Sequence, residues 1–383
     1  MSSWTTRRLR APLLVATSAF ALGLAVWGCS NDTPTTAPTL TERDGPAFEF
    51  SERNPAVAAV IEIQNRHTSA LFEVEGVVAT ATTVDERGEP VVLVLTRETI
   101  APGRIPSLLE GKRVVLEVSG PIVAFKGGPG GGGGGGGVSH TAIQTPPIQL
   151  GTSGGPANDL ANGYCCGGTL GSLVQGQGTQ YILSNSHVFA GDVVSGGNGS
   201  VSQVGDDISQ PGLIDASCNA NNTQIVADLS TLSTLYPPAS TPNIDASLAE
   251  VRPGMVRTDG AILEIGTLSS QTVAAFVGQA VKKSGRTTGL SRSSVSALNG
   301  NVNVGYSDEC AGSSFTKSFT GQVMISNRAS KFLNSGDSGS LMVEDVTTSP
   351  RAVGLLYAGS SSIAVANPIG HVLSHFNVTM VGN

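Results

Sequence analysis

A mainly β protein is what the sequence predicts, on three observations. Charged residues make up 13% of the 383, against roughly 25% in an average soluble protein. Glycine is high at 49 residues, Ser, Thr and Val are abundant, and long helical patterns are few. From about residue 147 to the C-terminus, runs such as "GTLGSLV", "QYILSNSHVF", "IVADLSTL" and "AVGLLYAG" alternate with clusters of Gly, Asn, Asp and Ser. That spacing suits an antiparallel sandwich or barrel.

From the N-terminus, Arg7, Arg8 and Arg10 precede an apolar run from Ala11 to Gly28. The run is too short and one-sided for a membrane span, so residues 1–29 read as an export signal. It ends in "VWGCS", which resembles the lipobox of bacterial lipoproteins. The resemblance implies lipidation of Cys29 and a lipid anchor in the cell envelope, although Trp27 departs from the small or β-branched residue usual there. The other reading is an ordinary secretory peptide and a secreted protein. The paired arginines hint at a twin-arginine signal, but Leu9, Arg10 and Ala11 match its remaining pattern poorly. Residues 30–46, rich in Thr and Pro, read as a disordered tether.

Residues 47–126 read as a small α/β domain, an accessory or pro-domain with no visible catalytic set. "NPAVAAVIEIQNRH" has helical spacing, with Asn54 as N-cap and Pro55 in the first turn. "GVVATATTV" and "PVVLVLT" read as a hairpin joined by "DERGE". "RIPSLLEGKRVVLEVSG" adds a short helical piece and a third strand. Residues 127–146, opening with the glycine run from Gly127 to Gly137, are a flexible linker. A phosphate-cradling loop would need a following Lys-Ser/Thr between a strand and a helix, and neither is present.

Residues 147–383 form the β-rich domain, whose only helical pattern is "NPIGHVLSHFNV" near its end. His371 and His375 lie one turn apart there, but with no acidic third ligand nearby they read as a solvated face, and no metal is expected. Cys165, Cys166, Cys218 and Cys310 allow three pairings in an oxidising compartment. A bond between the adjacent Cys165 and Cys166 would be strained, and the spacing offers no zinc site. The net charge is −7 with 22 Lys plus Arg, so no basic face for nucleic acid is expected.

Chemistry enters with "LNSGDSGSLMV". Its order Gly336, Asp337, Ser338, Gly339 suits a turn built to present a hydroxyl. A nucleophilic serine needs a base to take its proton and a carboxylate to hold the imidazole tautomer. His187, at a strand end in "YILSNSHVFAGD", supplies the base. Asp245, opening the apolar run of "PNIDASLAEV", supplies the acid. Gly336 and Ser338 can turn backbone N–H groups toward a developing oxyanion.

The order His187, Asp245, Ser338 is that of chymotrypsin-like proteases. "GTLGSLV", "LSNSHVFA", "IDASLA", "KKSGRTTG", "NSGDSGSL" and "GLLYAGS" together resemble the trypsin/chymotrypsin-like serine peptidase family, closest to the bacterial α-lytic protease and streptogrisin type. The likeness spans roughly residues 150–383. It implies a chymotrypsin-like double β-barrel, with His187 and Asp245 on the first barrel and Ser338 on the second. It implies His187 as general base, Asp245 as its orienter, Ser338 as nucleophile, and Gly336 and Ser338 as oxyanion donors. It further implies Phe332 at the floor and Gly359 at the mouth of the substrate pocket, with no acid to pair a substrate Arg or Lys. Lys283, just before "SGRTTG", would pair with Asp337. Val188 replaces the family's cysteine after the histidine, Ser340 a glycine, and Tyr357 the serine that supports the catalytic aspartate; "IQLG" at Ile148 only faintly suggests an activation site.

The reading is a secreted or envelope-anchored serine endopeptidase, a monomer needing no cofactor, acting on protein or peptide. It would touch membrane only through Cys29. A non-catalytic binding module on the same fold, and an esterase using the same triad, are the alternatives.

Overall fold

The computed structural model describes residues 46–124, 138–161, 164–190, 201–233, 235, 242–306 and 314–383. The export signal, Cys29, the tether apart from Pro46, the glycine run and Cys310 lie outside the described residues, and Pro46 opens a helical turn, Pro46–Glu49.

The helix starts where Asn54 and Pro55 place it. The Asn54 side chain accepts the Ala56 N–H at 2.8 Å, and Pro55 gives up an N–H that no helical carbonyl could use. Helix α1 (Pro55–Phe72) buries Val60, Ile63 and Leu71 against strands β1 (Val77–Val84) and β2 (Pro90–Thr96), which form the expected hairpin. Strand β3 (Lys112–Val118) runs parallel to β2. The helical piece expected in "RIPSLLEG" is instead a two-residue strand, Leu108–Leu109, folded back on β3. Glu110 and Gly111 take φ of 47° and 82°, the two left-handed positions of a tight hairpin turn, so a helix cannot propagate. Strand β4 (Val123–Ala124) ends this part of the chain.

The next strands are β5 (Thr152–Pro156), β6 (Gly168–Leu170), β7 (Ser172–Gly176), β8 (Thr179–Ser184), β9 (Asp207–Gln210), β10 (Gln224–Leu232) and β11 (Ser247–Val251). They are followed by β12 (Ala280–Lys283), β13 (Ser291–Tyr306), β14 (Phe315–Ser326), β15 (Leu341–Glu344), β16 (Ala352–Gly359), β17 (Ile363–Pro368) and β18 (Thr379–Met380). The first sheet has the order β18-β7-β8-β11-β10-β9-β5-β6. Only Gly171 separates β6 from β7, yet they stand near opposite ends of that order, so the sheet curls round. Leu150, Leu170, Leu183, Phe189 and Leu248 fill its interior. Ile148 is buried with them, bridged to Val256.

In the second sheet, β12-β15-β16-β17-β14-β13 closes on itself, because β12 pairs with β15 on one side and β13 on the other. Closure leaves a six-stranded ring without edges. Strand β13 outruns this ring, and its free length pairs with β1, Ala79 facing Val302 and Thr82 facing Leu298. The N-terminal hairpin therefore extends the second barrel's own sheet. Cys165 is bonded to Cys218, and Cys166 is also disulfide-bonded. Helix α3 (Ile369–Phe376) follows β17 with His371 and His375 exposed. No group of potential metal ligands is present among the described residues.

Candidate active site

Each functional side chain sits where a strand ends or begins. β8 runs into the one-turn helix α2 (Ser186–Phe189), which carries His187. Asp245 lies just before β11, and Ser338 just before β15. The two barrels meet at Ser338, whose carbonyl accepts the Thr169 N–H from β6 at 2.9 Å.

His187 Nδ1 lies 2.5 Å from Asp245 Oδ2, with both side chains almost wholly buried. A buried carboxylate must be met by donors. Asp245 accepts the His187 ring, the His187 backbone N–H at 3.3 Å and the Tyr306 hydroxyl at 3.0 Å. Its own backbone is clamped by Asn367 and by the Asn185 amide. With Nδ1 donating to the carboxylate, Nε2 carries the lone pair. That atom is buried and has no hydrogen-bond partner among the described residues.

Ser338 Oγ donates to the Tyr357 carbonyl at 3.0 Å. The loop around it uses glycine for a reason. Gly336 and Gly339 have φ of 95° and 91°, and a Cβ on Gly339 would stand 2.2 Å from Ser184 Oγ and 2.3 Å from the Thr169 carbonyl. The Asp337 and Gly339 N–H groups go to the Asn334 and Leu356 carbonyls. Those of Gly336 and Ser338 meet no acceptor among the described residues, as an anion site requires.

Asp337 is held from the other side. Lys283 Nζ lies 3.0 Å from Asp337 Oδ1, and both side chains are fully buried. The Thr287 and Thr288 N–H groups and the Thr288 hydroxyl also donate to this carboxylate. Burial pulls the Lys283 ammonium below its ordinary pKa, and Asp337 opposes that pull.

Phe332, expected at a pocket floor, packs with Val281, Leu333, Met342 and Leu356 in the barrel core and is 2% exposed. Gly359 ends β16, where its neighbour is β4: Val123 faces Gly359 and Ala124 faces Ala358 in antiparallel register. On its other side, β4 lies parallel to β13, with Val123 beside Gly305. Thus residues of the N-terminal segment lie along the strand that leads to the Ser338 partner Tyr357.

Sequence reasoning missed Tyr306. Tyr357, expected where a serine would support the acid, is buried with no partner for its hydroxyl among the described residues. Tyr306, at the end of β13, reaches Asp245 instead. Burial first, then the Asp245 charge, raises both phenols well above 10. Lys317, whose Nζ donates to the Pro242 carbonyl, is brought down to about 8 by burial, against the attraction of Asp245.

A family profile, the Nal1 C-terminal domain, matches residues 242–367. No curated protein sequence matches the chain. Among solved structures, a glutamic acid-specific serine protease is similar at 20% identity and TM-score 0.38, covering 61% of this chain and 100% of its own. Thermobifida fusca protease A is similar at 18% identity and TM-score 0.38, covering 63% and 99%. Nocardiopsis protease is similar at 16% identity and TM-score 0.36, covering 58% and 94%. The structural neighbours are thus bacterial serine proteases of the chymotrypsin-like type, and the chain has the mainly β fold of two curled sheets expected from its sequence.

Proposed function

We propose that this chain is a serine endopeptidase, exported from the cell and held in the envelope through Cys29 or secreted. The observation that carries the chemistry is the buried His187–Asp245 pair, together with Ser338 in a loop whose Gly336 and Ser338 N–H groups meet no acceptor among the described residues. In the proposed reaction Ser338 Oγ leaves the Tyr357 carbonyl and attacks the substrate carbonyl carbon as His187 Nε2 takes its proton. The oxyanion takes hydrogen bonds from the Gly336 and Ser338 N–H groups. His187 then protonates the leaving amine, an ester at Ser338 remains, and water activated by His187 releases the acid. No cofactor takes part, and a monomer suffices, since all three groups come from one chain.

The N-terminal segment supports the substrate class. Strand β4 adds to β16 through main-chain pairing, the way a protease receives an extended peptide. The chain there reads Ile122, Val123, Ala124. A peptide amide carrying Ile-Val-Ala and then a small or medium apolar residue before the scissile bond is the proposed substrate type, favoured over the same peptide ending in Arg or Lys. If the Arg peptide has the higher kcat/KM, the specificity reading is wrong. A peptide main chain in this lane also favours amide over simple ester substrates.

The test of the activity is labelling of Ser338 by a fluorophosphonate, with loss of labelling and hydrolysis in Ser338→Ala. Loss of kcat on the order of 10⁶-fold is expected for Ser338→Ala or His187→Ala. An unlabelled, inactive wild-type protein would instead support a binding module on this fold.

A further inference from the structure

We propose that Tyr306 is the positioning residue for Asp245, doing from a different strand what no side chain at position 357 does. The inference rests on the triad reading above. Its geometry is local: the Tyr306 hydroxyl donates to Asp245 Oδ2 at 3.0 Å, the same oxygen that holds His187 Nδ1. The other carboxylate oxygen has the His187 backbone N–H at 3.3 Å, a long bond for a charged acceptor. The hydroxyl is therefore the firm external stop on rotation of this carboxylate.

The phenol ring is itself fixed. It stacks on Phe315 with centroids 4.7 Å apart and planes 7° apart, and it meets His187 edge-on at 5.8 Å. Tyr357 lies nearby in the same apolar cluster, but its hydroxyl has no partner among the described residues. Its backbone, by contrast, serves Ser338. Position 357 thus gives a carbonyl to the nucleophile and position 306 a hydroxyl to the acid.

Tyr306 also stands next to the substrate lane. The Gly305 N–H donates to the Ile122 carbonyl at 3.0 Å, so a strand lying in this lane is hydrogen-bonded one residue from the group that orients Asp245. Among the described residues, the charged or titratable groups facing Asp245 are His187, Tyr306, Tyr357 and Lys317.

Tyr306→Phe keeps the ring and its stack and removes only the donor. In the full-length protein, kcat on a peptide substrate should fall about tenfold to a hundredfold, the scale of one hydrogen bond to a charged group. KM should change by less than about twofold, as expected when an interaction acts on the transition state. A carboxylate free to rotate holds the imidazolium less well. The ¹H resonance of His187 Nδ1–H, which reports on its bond to Asp245, should therefore shift in the NMR spectrum, and that proton should exchange faster with solvent. The NMR readout needs no turnover, so it tests Tyr306 even if the wild type hydrolyses nothing. In an Asp245→Asn background, Tyr306→Phe should add no further loss. An equal loss in that background, an unchanged His187 Nδ1–H resonance, or the same pattern produced by Tyr357→Phe would each overturn the proposal.

Discussion

Lys283 and Asp337 form a fully buried ion pair at 3.0 Å, and such a pair is most informative when one member is removed. Lys283→Met would leave Asp337 charged in the interior, with only the Thr287, Thr288 and Asn334 donors. Breaking a buried pair in this way costs about 3–5 kcal/mol, so urea denaturation should show a loss on that scale, together with lost hydrolysis as the oxyanion loop shifts. Retained stability and full activity would show that the threonine donors suffice. Lys317 gives a pH signature of the opposite kind. Its folded pKa of about 8 lies below the ordinary 10.5. Between those values the unfolded chain binds a proton that the folded chain does not, so stability rises with pH across that window. The stabilisation gained by Lys317→Met should accordingly be full below about pH 8 and fade toward 10.5, as seen by comparing unfolding free energies of the two proteins. The Gly-Asp-Ser-Gly loop was legible because its residue types and local order carry the chemistry, whereas Lys283 was legible only through the resemblance that sets a basic residue before "SGRTTG". Tyr306 was not: nothing in "NVNVGYSDEC" marks a phenol that meets an acid 61 positions earlier.

At the scale of elements, the seam between β1 and β13 is tied by one side chain from α1. Gln64 is fully buried, donating to Thr80 Oγ1 at 3.2 Å and the Asn299 carbonyl at 2.9 Å. Its Oε1 accepts from Thr82 Oγ1 at 2.8 Å and Asn299 Nδ2 at 3.0 Å. Gln64→Leu matches the size but strands the Thr82 hydroxyl and the Asn299 carbonyl, so a loss of about 1–3 kcal/mol is expected. Hydrogen exchange at Asn301 and Val302 on β13 should quicken in the same variant; unchanged exchange there would mean the seam does not depend on Gln64. The helix start and the β1–β2 hairpin could be read from a cap, a proline and a short connection, all local signals. The joining of β1 to β13 could not. An alternating pattern says which face of a strand is buried, not which distant strand lies beside it. The expected helix in "RIPSLLEG" failed for a related reason, since apolar spacing over so few residues does not outweigh a Glu110-Gly111 turn.

Across the whole molecule, the N-terminal segment and the second barrel share one sheet, and β4 closes the arrangement by filling the space between β13 and β16. An attached strand competes at an effective concentration of millimolar order, so a free peptide would meet this lane already occupied. Ile122 is the anchor to attack. It is 2% exposed, in the apolar cluster that holds Tyr306, Phe319 and Tyr357. An aspartate there would be a buried carboxylate without a cation, costing several kcal/mol. A two-residue strand has few hydrogen bonds to set against that cost, at about 1 kcal/mol each. In Ile122→Asp the segment should therefore leave the lane while the barrel, closed without it, stays folded. The expected kinetic result is competitive relief: a lower apparent KM for the Ile-Val-Ala peptide amide with an apolar residue before the scissile bond, an unchanged kcat and a higher rate at low substrate. The rate should rise by about tenfold or more if the lane was filled at millimolar effective concentration. Thermal unfolding of the same preparation checks that the barrel is intact. An intact variant with wild-type KM would mean that β4 does not occupy the path of the substrate.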